Sequence, residues 1–119
     1  MSTTSEDLVT FGAALFHPGL LPPHQYELLF EQPTFGGRPS PMTFGFFAQD
    51  AGSERLLRIN GANPGMMSAL SIYPDRKLSV AVLANTWGIG SRSGEMTSEL
   101  PRRLADLCAP PRAPQASVQ

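Results

Sequence analysis

The side chains that most often carry out catalysis or bind metals are few in this chain and far apart. It contains one lysine, Lys77, one cysteine, Cys108, and two histidines, His17 and His24. Both histidines adjoin a proline, and no ligand spacing links them to the cysteine, so we predict neither a metal site nor a cofactor. The favoured interpretations are surface positions at helix ends for the histidines and a small apolar residue for Cys108.

A glycine-rich segment is the other candidate for chemistry. Gly88-x-Gly90-x-x-x-Gly94 follows one apolar run and precedes another. Its spacing differs by one residue from a dinucleotide-binding fingerprint, but no parallel strand follows it and no acidic residue lies in a strand about 20 positions further on. We therefore interpret it as a flexible connection between a strand and a helix. The chain also has no G-x-S-x-G nucleophile elbow.

Composition excludes several classes of function. At 119 residues the chain is one domain or part of one, and its net charge of −1 gives no basic field for nucleic acid or an anionic membrane. No run of 18 apolar residues is present, so we predict no transmembrane helix. The single cysteine excludes an internal disulfide and fits a reducing compartment. The first eight residues lack the basic and apolar regions of a signal peptide, which favours a cytoplasmic location.

The elements that would position a site are predicted around an antiparallel meander over residues 56–87. Two apolar β-type runs, 69–73 and 80–84, are separated by a polar turn at 74–77. A third run leads into residues 60–65, where four turn-forming residues in six predict a tight reversal. We predict strands at 56–60, 67–73 and 78–85.

Helices are predicted to flank this meander. The spacing of Thr3 and Glu6 predicts a capping box at the start of a first helix, and Pro18 predicts that this helix ends near Phe16. Residues 33–43 contain five prolines and glycines and predict an irregular loop. The remaining predicted elements are a helix at 24–31, a strand at 43–48, a turn at 50–53 and a C-terminal helix at 95–107.

Together these elements predict an α+β fold. It has an antiparallel sheet of three to four strands, a C-terminal helix and an N-terminal helix pair. Residues 1–108 are predicted to form a single domain, and the proline-rich residues 109–119 a disordered tail. The apolar pattern predicts that six side chains are buried: Leu70, Ile72, Val80, Val82, Leu83 and Leu104.

Four segments of the chain, at residues 3–15, 19–21, 61–75 and 80–85, resemble in the same order the C-terminal half of the serine β-lactamase-like hydrolases. This family includes class C β-lactamases, penicillin-binding proteins and related esterases, and the resemblance covers about residues 2–107. It implies a partial β-lactamase/transpeptidase-like fold and acyl transfer on a β-lactam, ester or peptide substrate.

The family uses Ser-x-x-Lys, Tyr-x-Asn, and Lys-Thr-Gly or His-x-Gly for catalysis. The residue three before Lys77 is Pro74, and neither Tyr26 nor Tyr73 has an asparagine two positions on, so the first two elements are missing. In the family both precede the segment that matches Thr3, so the resemblance implies that this chain begins after them. We therefore assign no catalytic residue.

The third element falls on residues 59–62. Its basic first position is held by Ile59, and Arg58 would take that role only if a bulge shifted the strand by one residue. The resemblance makes the N–H of Ala62 an oxyanion-hole donor, while Gly61 would admit a carbonyl closely. The implied substrate-binding residues are Arg58, Asn60, Gly61 and Ala62; a simple turn at 60–65 is the alternative.

Three functions are compatible with this pattern. One is part of a serine hydrolase that is inactive alone, because its nucleophile lies on a missing N-terminal half or a partner chain. Another is a non-catalytic binding or structural module that retains the substrate-side strand, and a third is a truncation without function. The expected partners are a small β-lactam or ester ligand, a second copy of the chain or the missing half, with no nucleic acid and no membrane.

Overall fold

The computed structural model describes residues 2–17, 19–51, 54–86 and 94–110, which form an α+β fold. A short 3-10 turn, Pro74–Arg76, joins the last two strands, and a π-helical turn, Glu95–Glu99, leads into the last helix. In chain order the helices and strands are α1 (Ser5–Ala14), α2 (Pro23–Phe30), β1 (Thr34–Phe35), β2 (Arg38–Pro39), β3 (Phe47–Ala51), β4 (Glu54–Asn63), β5 (Met66–Tyr73), β6 (Leu78–Ala84) and α3 (Leu100–Cys108).

The main sheet has four strands in the order β3-β4-β5-β6, and every neighbouring pair is antiparallel. The predicted meander and its antiparallel pairing are thus confirmed. The tight reversal predicted at 60–65 is too long, because β4 continues to Asn63, which pairs with Met66. Only Pro64 and Gly65 form the turn, and Gly65 has the positive φ of 83° that favours glycine.

The region before β4 differs from the prediction in two places. The predicted strand at 43–48 begins only at Phe47, because the Thr43 hydroxyl accepts a hydrogen bond from the Phe46 N–H at 3.2 Å and closes a turn. The predicted irregular loop at 33–43 contains the hairpin β1–β2, whose turn residues Gly36 and Gly37 both have positive φ. In the turn predicted at 50–53, Asp50 and Ala51 belong to β3, and 52–53 lie outside the described residues.

The first helix is capped one residue later than predicted. Thr4 is the N-cap: its hydroxyl accepts from the Asp7 N–H at 3.1 Å, and the Asp7 carboxylate accepts from the Thr4 N–H at 3.3 Å. Thr3 and Glu6 therefore do not form the predicted capping box, although the motif type is present. The helix ends at Ala14, two residues before the predicted Phe16.

Close packing of α1 on β6 depends on Gly12. A Cβ at this position would lie 2.5 Å from the Ser79 Cβ and 2.7 Å from the Ser79 Oγ, well inside van der Waals contact. The Ser79 hydroxyl also donates a hydrogen bond to the Val9 carbonyl at 3.2 Å. The helix therefore lies directly against the strand at a point where only glycine fits.

Both faces of the sheet carry helices. On what we call the N-terminal face, α1 and α2 cover a core that contains Leu15, Leu57 and Ile72. On the opposite C-terminal face, α3 places Ala105 against a second core that contains Tyr73. The C-terminal helix predicted at 95–107 is confirmed in position, with its first turn π-helical.

The burial predicted for six side chains holds for half of them. Leu70, Ile72 and Val80 are buried, whereas Val82 and Leu104 are partly buried. Leu83 is 40% exposed, so its predicted burial is wrong. It lies on the N-terminal face at the end of β6, where the sheet extends beyond the Ser79 position on which α1 packs.

The Arg76 side chain connects the β5–β6 turn to the start of β4 and to α3. It is only 7% exposed, and its guanidinium donates to Glu54 at the start of β4, to Asp106 of α3 at 2.9 Å and to the Ala109 carbonyl at 2.8 Å. It also lies 5.0 Å from the centre of the Tyr73 ring. These contacts fix α3 to the turn between β5 and β6.

Candidate functional site

An open groove of about 680 Å³ lies at the end of the sheet where β4 turns into β5. Its floor includes three residues that pair directly across the strands, Gly61, Ser68 and Leu83. Ser2 and Thr3, which precede α1, form one wall. The remaining lining residues belong to the β4–β5 turn region and the end of β6: Ala62, Asn63, Gly65, Met66, Met67, Ala84 and Asn85.

At Gly61 the floor of the groove lies at the level of the β4 backbone, because this residue has no side chain. A Cβ at Gly61 would lie 3.3 Å from the Ser68 hydroxyl, which is tighter than ordinary contact. The Ser68 hydroxyl instead donates a hydrogen bond to the Gly61 carbonyl at 3.4 Å. A ligand can therefore approach the backbone of β4 closely at this point.

The four predicted substrate-binding residues do not all face the groove. Pairing of β4 with β5 is continuous from Leu57 to Asn63, with no bulge, so successive side chains alternate between the two faces. Gly61 shares the N-terminal face with Leu57, whereas the side chains of Arg58, Asn60 and Ala62 point to the C-terminal face. Ala62 nevertheless lines the groove.

Arg58 is held by the C-terminal segment of the chain. Its guanidinium donates a hydrogen bond to the Ser98 hydroxyl in the π-helical turn, and its Nε atom is buried without a partner in the described part of the chain. Ile59, its neighbour, points to the opposite face and is 46% exposed. The structure therefore separates Arg58 from the groove and places an uncharged side chain on the groove's face of the sheet.

The backbone of Ala62 is placed differently from its side chain. The Ala48 N–H donates away from β4, to the Pro41 carbonyl, so Ala48 and Leu57 form a pair that does not exchange ladder hydrogen bonds. The N–H groups along β4 point alternately toward β5 and toward β3, and that of Leu57 points toward β5. The N–H groups of Asn60 and Ala62 therefore point away from β5, toward the edge of β4 that lies beyond its pairing with Phe47 of β3. The Ala62 N–H is therefore not used by the β4–β5 ladder.

The groove is lined by the hydroxyl-bearing residues Ser2, Thr3 and Ser68, and none of its described lining residues is a base. Among the described residues that line it, none is a lysine, histidine, aspartate or glutamate. Lys77 follows the opposite end of β5, and the five-residue span from Ser68 to Tyr73 alone measures about 17 Å at about 3.4 Å per residue. Among the described lining residues, Ser68 therefore has no partner that would activate it as a nucleophile.

The other candidates from the sequence either are not among the lining residues of the groove or lie outside the described residues. His17 and Cys108 are exposed, as is His24 in the first turn of α2. Gly88 and Gly90 of the glycine-rich segment lie in 87–93, outside the described residues. Within the described ranges, no group of three or more His, Cys, Asp or Glu side chains is placed to hold a metal ion.

Several groove residues were missed by sequence reasoning. The pairing of Gly61 with Ser68 and of Ser68 with Leu83 joins residues that are 7 and 15 positions apart. The signal for the first pair was present, because a two-residue turn at Pro64-Gly65 sets this register. The wall formed by Ser2 and Thr3 depends on how α1 packs and has no sequence signal.

Comparison of the chain with protein-family models, curated proteins and solved structures finds no match. None of the helices in the described ranges has the length and apolar character that a bilayer span requires.

Proposed function

We propose that this chain carries the substrate-side half of a serine β-lactamase-like acyl hydrolase, and that the groove holds the acyl group of the substrate. The observation that carries the proposal is the Gly61–Ser68 floor, where β4 has no side chain. Ala62 also lines the groove, and its N–H, which the β4–β5 ladder does not use, points to the edge of β4 on the side away from Ser68. Backbone N–H groups of this kind stabilise the oxyanion that develops in acyl transfer.

The chain is inactive alone under this proposal. Covalent acyl transfer needs a hydroxyl with a base within about 2.6–3.2 Å, and the groove has none among the described residues. The nucleophile and its base would come from a separate segment or partner chain. Sequencing the DNA upstream of the Met1 codon tests this part, since an in-frame Ser-x-x-Lys followed by Tyr-x-Asn is the expected result.

A non-catalytic binding module is the second candidate. The observation that favours it is the Ser68 hydroxyl, which donates to the Gly61 carbonyl and has no activating base in the described chain. Fluorophosphonate labelling followed by intact mass measurement tests for catalysis by the chain itself. We expect no stoichiometric adduct; an adduct on one serine, abolished by mutation of that serine alone, would refute the inactivity of the isolated chain.

The binding role of the groove is tested with butyranilide, a stable amide that mimics an acyl ester. In ¹⁵N-labelled protein we expect saturable shift changes at the amides of Gly61, Ala62 and Ser68. Gly61→Ala should weaken binding several-fold, because its Cβ would lie 3.3 Å from the Ser68 hydroxyl and raise the floor. Gly19→Ala is the matched control, since a Cβ there would meet no atom of the described chain within 4 Å apart from its chain neighbours. Shift changes that map elsewhere would contradict the proposal.

A further inference from the structure

We infer that the groove selects an uncharged acyl compound, an ester or amide with an apolar acyl group, over one that carries a carboxylate. This inference rests on the proposed function, because it names the substrate class of the same groove. It excludes as preferred ligands those β-lactams and peptides whose recognition requires a cation opposite their carboxylate.

The first observation is that none of the described lining residues has a charged side chain. All twelve described lining residues are apolar, hydroxyl-bearing, amide-bearing or glycine. A carboxylate that leaves water for such a site loses its hydration and gains no ion pair, and burial of an unpaired charge is strongly unfavourable. Arg58, the cation predicted from the sequence for this site, points to the opposite face of the sheet and donates a hydrogen bond to Ser98.

The second observation is that the N-terminus of α1, next to the groove, is already capped. The N-terminus of α1 follows the wall residues Ser2 and Thr3, and a helix N-terminus attracts anions in general. Here the capping box occupies the N–H groups of Thr4 and Asp7, and the first turn carries the carboxylates of Glu6 and Asp7. These carboxylates offset the positive end of the helix dipole, so this helix end offers an anion little unopposed positive charge.

The third observation is the apolar character of the floor and its polar margin. Leu83 is 40% exposed and Met66 is 55% exposed on the groove's face of the sheet, so an acyl chain can remove their surface from water. Asn63 and Asn85 line the margin and offer amide groups. A few uncharged donors around an apolar floor orient a carbonyl without requiring charge on the ligand.

The experiment uses three matched ligands on the whole chain: butyranilide, its para-carboxylate and its para-aminomethyl cation. Binding is followed from the amide shifts of Gly61, Ser68 and Leu83. We expect the neutral compound to bind most tightly and the carboxylate at least about tenfold more weakly. Equal or tighter binding of either charged compound at these amides would overturn the inference while leaving the groove as an acyl site. If no compound shifts these amides, the proposed function fails together with the inference.

A pair of variants at Leu83 gives an independent readout. Leu83→Lys places an ammonium at the floor, and Leu83→Gln is a polar, uncharged control of similar length. We expect Leu83→Lys to tighten carboxylate binding at least tenfold relative to Leu83→Gln, with little difference between the two variants for the neutral compound. An unchanged carboxylate affinity in Leu83→Lys would show that charge at the floor does not set selectivity and would overturn the inference. The side chain is 40% exposed, so both substitutions are compatible with folding.

Discussion

From the contact between α1 and β6 we predict that Gly12→Ala lowers the free energy of unfolding. Replacing glycine with alanine inside a helix normally stabilises it by about 1 kcal/mol. Here the new Cβ would lie 2.5 Å from the Ser79 Cβ, so α1 must move away from β6 by about 1 Å. Overpacking of this kind costs about 1–3 kcal/mol, and loss of the hydrogen bond from Ser79 to Val9 adds about 1 kcal/mol. We expect a net loss of about 1–3 kcal/mol in the free energy of unfolding.

The assay is urea unfolding followed by far-ultraviolet circular dichroism at constant pH. Gly19→Ala serves as the control for a glycine replacement in open space and should change the free energy by less than about 0.5 kcal/mol. A double-mutant cycle with Ser79→Gly isolates the contact, because removal of the Ser79 Cβ leaves room for the new methyl group. We expect a coupling of at least about 1 kcal/mol in the relieving direction. A Gly12→Ala variant as stable as the wild-type protein, or more stable, would refute the close approach of α1 to β6.

Three further outcomes are expected. Val82→Ala should lower the free energy of unfolding by about 1–2 kcal/mol in the same assay, because Val82 packs on the core below α3; a change of a few tenths would contradict this. Tyr73→Phe should be neutral or stabilising by up to about 1 kcal/mol at pH 7, because the buried Tyr73 hydroxyl has no hydrogen-bond partner in the described chain. Burial raises the pKa of Tyr73, so the part of the stability that depends on neutral Tyr73 is fully present below about pH 10 and is lost as the pH rises through the raised pKa; Tyr73→Phe should remove this part of the fall. In sedimentation velocity at tens of micromolar we expect association, because β6 is the edge strand of the described sheet and contains no charged residue or proline, and Met66 at the start of β5 is exposed; a clean monomer would count against this.

The sequence was sufficient to predict the centre of the fold. The apolar runs of β5 and β6, separated by a polar turn that begins with Pro74, are local signals, and both strands lie where these signals place them. Two local predictions placed the start of an element at the wrong residue. Thr3 and Thr4 are both chemically able to cap α1, and the choice depends on where the helix packs. Phe46 was assigned to a strand because of its β propensity, but the Thr43 hydroxyl holds it in a turn.

The candidate site was less accessible to sequence reasoning than the fold. Gly61 was identified by resemblance alone, and its partner Ser68 becomes visible only with the strand register. Leu83 was predicted to be buried because it belongs to the apolar run of β6. Alternation along a strand assigns a side chain to one face of the sheet, but it does not say how far the helices extend over that face. The groove results from this incomplete cover, which is a property of helix placement rather than of any strand.

The hydrogen bonds of Arg76 affect the order in which the chain can fold during its synthesis. Arg76 lies in the turn between β5 and β6, but two of its partners, Asp106 and the Ala109 carbonyl, are translated about thirty residues later. Until residue 109 has emerged from the ribosome, the Arg76 guanidinium can pair only with Glu54. During this time the face of the β3–β6 sheet that carries Tyr73 is not covered by α3. A nascent chain therefore exposes the C-terminal face of a sheet whose other face can already be covered by α1 and α2, and it is in this interval that we expect chaperone binding or misassociation.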